Sequence, residues 1–159
     1  SSVLKNVSAL WLEYAELVSA GQKMSFAIKG AVSDQRARTF VFAAQKTMYG
    51  GKYVAKGDII FVFASENECG PGLIASGVVT WAKGIAKKRG VARQTPRVII
   101  TVKRTALARR RLGRSDLKRF CDWNDDRPET ELNFKFYRQG TNKIVGISDK
   151  AAAFLREFF

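Results

Sequence analysis

The chain has 159 residues, 46% of them hydrophobic, and carries 28 Lys and Arg against 14 Asp and Glu for a net charge of +14. That length fits one domain spanning the whole chain, 1–159, and that apolar fraction excludes global disorder. No apolar run approaches the roughly 18 residues that a bilayer-crossing helix needs, and no signal-peptide pattern is present, although a chain that opens on Ser1 gives this second absence little weight.

In chain order, the first predicted element is a helix from Ser8 to Ala20. Leu10, Tyr14, Leu17 and Val18 recur at helical spacing and Gly21 provides a stop. Phe26 to Ser33 reads as a short strand or loop. Thr39 to Ala44 alternates with Phe40 and Phe42 on one face. The turn Lys56-Gly57-Asp58 launches DIIFVFA, Asp58 to Ala64, a nearly unbroken apolar strand that implies burial on both faces. Leu73 to Trp81 is another strand, interrupted by Gly77 in a way that permits a bulge or barrel corner.

The charge is concentrated from Lys83 to Arg119. Fourteen basic residues and one acid, Asp116, give this segment +13, while the other 122 residues hold fourteen basic and thirteen acidic side chains, a net of +1. Like charges repel, so a one-signed belt points to a polyanionic partner and salt-sensitive binding. Lys87, Lys88, Arg89, Arg93, Arg109, Arg110, Arg111 and Arg114 are the candidate phosphate contacts, gathered on a common face. A merely solvated basic surface is the competing reading. An anionic membrane would also attract such a belt, but no large-moment helix accompanies it, so no membrane partner is expected.

Within and beyond the belt come a strand at Arg97 to Val102, a short helix capped by Ser115 and running to Phe120, and an acidic loop from Asp122 to Glu131 containing Pro128. Strands at Leu132 to Tyr137 and Lys143 to Ile147 follow, then a terminal helix capped by Ser148 with Asp149 in its first turn. Several short strands with few helices predict an α+β fold built on a small mixed or antiparallel barrel.

Catalytic templates mostly fail. The absence of histidine removes Ser-His-Asp and Cys-His arrangements and histidine metal sites, and no phosphate-binding glycine loop occurs. Cys69 and Cys121 form neither a disulfide framework nor a set of four zinc ligands, so a reducing, cytoplasmic setting is the default. Asp122, Asp125, Asp126, Glu129 and Glu131 are the acids a divalent metal would use, but they lack calcium-loop spacing and read first as solvated loop. Glu131 and Lys135 share a face of the predicted strand. No cofactor, metal or catalytic residue is expected.

The order KGDIIFVFAS, GLIASGVVTWA, PRVIITVKR and KIVGISDKAAAFL resembles the PUA-like superfamily, most closely its EVE and ASCH branches, over about Phe40 to Phe159. The resemblance implies a small barrel with a pocket on one side, and EVE-like domains are similar to readers of modified bases that flip a nucleotide into a cavity. Candidate pocket residues at strand ends and loops are Phe42, Gln45, Lys46, Thr47, Ser65, Glu66, Trp81, Tyr137, Arg138, Gln139 and Asn142. Trp81 and Tyr137 would stack, Gln139 and Asn142 would read the base edge, and Arg138 would take a phosphate. Core packing is the alternative for Phe42 and Trp81, and turn formation for Gln139 and Asn142. The expected function is therefore a non-catalytic module that binds DNA or RNA and recognises a modified base. A metal-dependent nuclease or nucleic-acid-modifying enzyme using the 122–131 acids, and an interaction module that docks on ribosomal RNA or an acidic protein, are the alternatives.

Overall fold

The computed structural model describes residues 24–159; the helix expected at Ser8 to Ala20 lies outside the described residues. Six strands close a barrel: β1 (Ser25–Gly30), β2 (Thr39–Met48), β3 (Ile59–Ala64), β4 (Gly72–Gly84), β5 (Arg97–Leu107) and β6 (Lys143–Ile147). Their order around the barrel is β1-β3-β4-β5-β2-β6, with β1 parallel to β3, β2 parallel to β6 and every other pair antiparallel.

The unbroken apolar run of β3 has a direct physical cause. Strand side chains alternate between faces. Ile60, Val62 and Ala64 point into the barrel, where they pack with Phe26, Ile28 and Ile144. Phe61 and Phe63 point outward into a second core shared with Leu117, Leu132, Phe136 and Leu155 of the helical layer. One strand thus serves two cores. At its start Asp58 accepts from the Ala55 N–H at 2.8 Å, and Gly57 adopts φ +96°, where a side chain would be strained. At Gly77 the β4–β5 register shifts, and an added Cβ would sit 2.6 Å from the Lys103 carbonyl oxygen. The bulge read from this glycine is present.

Three helices flank the barrel: α1 (Arg114–Leu117), α2 (Pro128–Leu132) and α3 (Asp149–Arg156). Ser148 caps α3, its hydroxyl accepting from the Ala151 N–H at 3.1 Å. None of these helices is long and apolar enough to cross a membrane.

Two local expectations need correction. The N-cap of α1 is Gly113, not Ser115; the Asp116 carboxylate accepts from the Gly113 N–H at 2.9 Å and secures that turn. Leu132 to Tyr137 is helical, not a strand: α2 runs into a π-helical turn over Asn133–Tyr137. The apparent alternation of Leu132, Phe134 and Phe136 arose because both sides of the segment are buried, Asn133 and Lys135 included. Pro128 at the first turn presets helical φ, and Glu131 pairs with Lys135 at 3.0 Å across one turn. The second half of the acidic loop is therefore helix.

Candidate nucleic-acid interface

The outer face of β1 and β6, under the helical layer, carries the charge that sequence reasoning overlooked. Lys29 and Lys143 are register partners on adjacent strands and are fully buried. Both share strand parity with apolar neighbours of the second core, Ala27 for Lys29 and Val145 for Lys143. Thr47 and Met48 pair in parallel with Ile144 and Val145, which sets Lys46 beside Lys143 one step earlier. Lys46 in turn pairs with Arg97 at the start of β5. Four cations, Arg97, Lys46, Lys143 and Lys29, thus form a row across four neighbouring strands, spaced at about 4.8 Å per strand.

On the β3 side the row continues into a polar cluster. The Lys29 ammonium donates to the Phe136 carbonyl at 2.8 Å and lies 5.0 Å from the centre of the Tyr137 ring. The Arg114 guanidinium stands 5.8 Å from the same ring. The Tyr137 hydroxyl donates to one Glu66 oxygen at 3.0 Å, and the Arg114 backbone N–H donates to the other at 2.7 Å. Arg114 also reaches the Asn67 side chain at 3.1 Å. Ser65, just past β3, is buried and its hydroxyl has no hydrogen-bond partner among the described residues.

Among the described residues no ion pair joins any of these cations to a carboxylate; the two ion pairs present are Lys135–Glu131 and Lys150–Asp126. Burial lowers the Lys143 pKa to about 8, with further repulsion from Lys29 and Lys46. Burial likewise lowers that of Lys29, with Arg114 adding repulsion and Glu66 opposing it. Tyr137 is pushed well above the usual phenol range, first by burial and then by Glu66.

The sequence-derived pocket residues fall into separate places. Ser65, Glu66 and Tyr137 converge with Lys29 and Arg114, and Lys46 belongs to the cation row. Tyr137 gives its ring to two cations and its hydroxyl to Glu66. Arg138 and Gln139 are exposed on the loop leading to β6, with Asn142 half-buried just before that strand. Arg138 lies over the Phe134 ring at 4.9 Å. Phe42 is interior, stacked on Phe40 with ring centres 6.2 Å apart, so it presents no surface to a base. Gln45 donates to the Ala43 carbonyl at 2.9 Å beside the β2 bulge, and buried Thr47 donates to the Pro96 carbonyl at 2.7 Å. Trp81 is 46% exposed on β4, paired with Thr101, which also pairs with exposed Val41.

The basic belt is not one contiguous patch. Lys87, Lys88, Arg89 and Arg93 lie in the β4–β5 connection, before Arg97, whereas Arg109, Arg110, Arg111 and Arg114 follow Leu107. The length of β5 separates the groups by about 30 Å at a strand rise of roughly 3.3 Å per residue. All eight are exposed. Arg109 and Arg110 hydrogen-bond the C-terminal carbonyls of Phe159 and Glu157, at 2.8 and 3.0 Å. The cation row runs between the two groups, from Arg97 to Lys29 beside Arg114.

The acids of 122–131 serve local structure. Asp122 and Asp125 each accept from a backbone N–H two residues on, at 3.0 and 3.1 Å. Asp126 pairs with Lys150 at 2.5 Å, and Glu131 binds Lys135 and Ser148. Among the described residues no three of His, Cys, Asp or Glu stand close enough to hold a metal ion. A cavity of about 500 Å³ lies here, lined by Tyr49, Trp123, Phe134 and Lys135 among others.

No protein-family model matches the chain, and no curated protein matches it by sequence. Solved structures do match in fold. Human THYN1 protein, in complex with DNA containing 5-methylcytosine, is 10% identical with a TM-score of 0.58, over 85% of this chain and 96% of that one. A hypothetical protein from Leishmania major is 15% identical with a TM-score of 0.55, over 87% and 96%. A Pseudomonas putida protein is 12% identical with a TM-score of 0.58, over 84% and 98%. The chain accordingly shares the fold of these structures, a closed mixed barrel as the PUA-like resemblance implied.

Proposed function

We propose that this chain is a non-catalytic nucleic-acid-binding module that uses the EVE-type barrel to recognise a modified base. The observation that carries this reading is the row Arg97–Lys46–Lys143–Lys29, continued by Arg114, with no carboxylate ion-paired to any of them among the described residues. The exposed ends of the row, Arg97 and Arg114, and the two exposed basic groups at 87–93 and 109–111 carry charge of one sign, which phosphates would neutralise with release of counterions. The complex of the structurally similar human THYN1 protein with methylcytosine-containing DNA is consistent with the same class of partner.

The roles divide by position. The exposed arginines and lysines of 87–93 and 109–114 hold backbone phosphates and carry no sequence information. Glu66, fixed by Tyr137 and the Arg114 amide, supplies an acceptor of the kind that reads an exocyclic amine, and Arg138, Gln139 and Asn142 flank it on the loop before β6. Trp81 offers an exposed ring on β4, a few residues before the basic β4–β5 connection. The experiment is a binding panel of unmodified and 5-methylcytosine duplexes and single strands at two salt concentrations. A base reader gives a preference that survives added salt, superposed on a salt-sensitive background. Equal affinity for every oligonucleotide removes base recognition, and no retention at low salt removes the nucleic-acid reading.

A further inference from the structure

We infer that Lys29, Lys143 and the Ser65 hydroxyl form a subsite for a single oxyanion group, a phosphate carried by a nucleic-acid backbone or by a free nucleotide. The source of that phosphate rests on the function proposed above; the subsite itself rests on three structural facts. First, the donors exceed their acceptors. An ammonium carries three N–H donors. Lys29 spends one on the Phe136 carbonyl, and Lys143 reaches the Thr141 hydroxyl at 3.4 Å, which is long for a charged donor. Second, Ser65 follows Phe63 by two positions and Phe63 pairs with Lys29, so strand alternation sets Ser65 on the face of the two lysines; its buried hydroxyl is unspent among the described residues. Third, no carboxylate is ion-paired to either lysine among the described residues, although Glu66 offsets part of the Lys29 charge. Glu66 holds Tyr137 and the Arg114 amide, and Asp116 holds the Gly113 amide.

Buried cations without a counter-ion are costly, and buried polar groups normally find partners. A group with several acceptor oxygens answers all three deficits together. A phosphate monoester has three terminal oxygens and a backbone phosphodiester two non-bridging ones with two ester oxygens beside them, so either offers more acceptors to two ammoniums and a hydroxyl than a two-oxygen carboxylate. An arriving oxygen replaces the long Thr141 contact. Burial, Lys29 and Lys46 lower the Lys143 pKa, and a bound anion would raise it.

The test titrates inorganic phosphate, cytidine 5′-monophosphate with cytidine as control, and a short duplex into the full chain at constant ionic strength. Calorimetry and lysine side-chain NMR report binding. Saturable phosphate and monophosphate binding is expected, with Nζ shifts confined to Lys29 and Lys143 and no response to cytidine. Lys143→Met and Ser65→Ala should each weaken phosphate binding, the first at least tenfold, with circular dichroism unchanged. No saturable phosphate response, or equal affinity in both variants, overturns the subsite. The two readings fail separately. Duplex binding that persists while phosphate is ignored removes the subsite and leaves the proposed function; phosphate binding without retention of any polynucleotide does the reverse. Competition between monophosphate and duplex identifies the backbone as the source, and independent binding of the two identifies a free nucleotide.

Discussion

Lys29 and Lys143 face one another across the antiparallel pair β1–β6, both buried, on strands more than a hundred positions apart in sequence. The pair is electrostatically unfavourable where it stands: Lys29 raises the cost of protonating Lys143, Arg114 does the same to Lys29, and neither lysine is ion-paired among the described residues. Stability given up in this way is commonly found at binding sites, where the ligand supplies the missing partner.

The pH dependence of folding follows from the direction of these shifts. Lys143 titrates near 8 in the folded chain against an ordinary value of 10.5, with Lys29, Lys46 and Thr141 about it. Between those values the unfolded chain binds more protons, so stability rises with pH across that window; below about 8 the cost is fully present. Lys143→Met should flatten this rise and stabilise the free protein most below pH 8. Urea denaturation from pH 6 to 10 measures both effects.

Neutralising the β4–β5 connection tests the electrostatic reading. Replacing Lys87, Lys88 and Arg89 with alanine should leave the fold intact, because all three are exposed. Each lost phosphate contact reduces the slope of log affinity against log salt by about 0.9 on duplex DNA. A slope that drops by roughly 2 to 3 for the triple variant is expected. Mobility-shift titrations at several salt concentrations give the slope.

Trp81 is a stacking candidate without a core role. It is 46% exposed. Trp81→Ala should leave the melting temperature nearly unchanged and weaken single-strand binding by about 1 to 3 kcal/mol, the range for one base–aromatic stack. Fluorescence quenching of the wild-type chain on oligonucleotide addition, compared with that of the variant, separates Trp81 from the other tryptophans.

Glu131 is expected to hold the helical layer together. Its oxygens accept from the Lys135 ammonium at 3.0 Å and the Ser148 N–H at 2.9 Å, as well as from the Ser148 hydroxyl. Lys135 also donates to the Gly146 carbonyl at 2.7 Å, so it is anchored to β6. Glu131→Gln leaves a buried ammonium without its counter-charge and should cost about 3 kcal/mol of stability. Thermal denaturation of the variant checks this.

Local pattern carried far. The unbroken apolar run Ile59–Ala64, the alternation in β2, the Gly77 bulge and the Ser148 cap were all legible, because each is decided by the period of a strand or by one side chain at a helix end. The motif order also sufficed for a PUA-like resemblance. Leu132 to Tyr137 misled because burial on all sides erases the difference between periods two and 3.6. The basic belt showed how much charge there is, but contiguity in sequence did not become contiguity in space once β5 ran through it.

The site residues split along the same line. Ser65, Glu66, Tyr137 and Arg114 stood out from the chain, while Lys29 and Lys143 did not. The available signal was a single lysine in an otherwise apolar strand, SFAIKG and KIVGI, which ordinarily marks a solvent-facing position. Strand parity determines which side such a lysine occupies; it says nothing about which strand lies alongside. Only closure of the barrel between β1 and β6, beneath a helical layer formed by residues far along the chain, buries the two ammoniums together and makes an anion their natural partner.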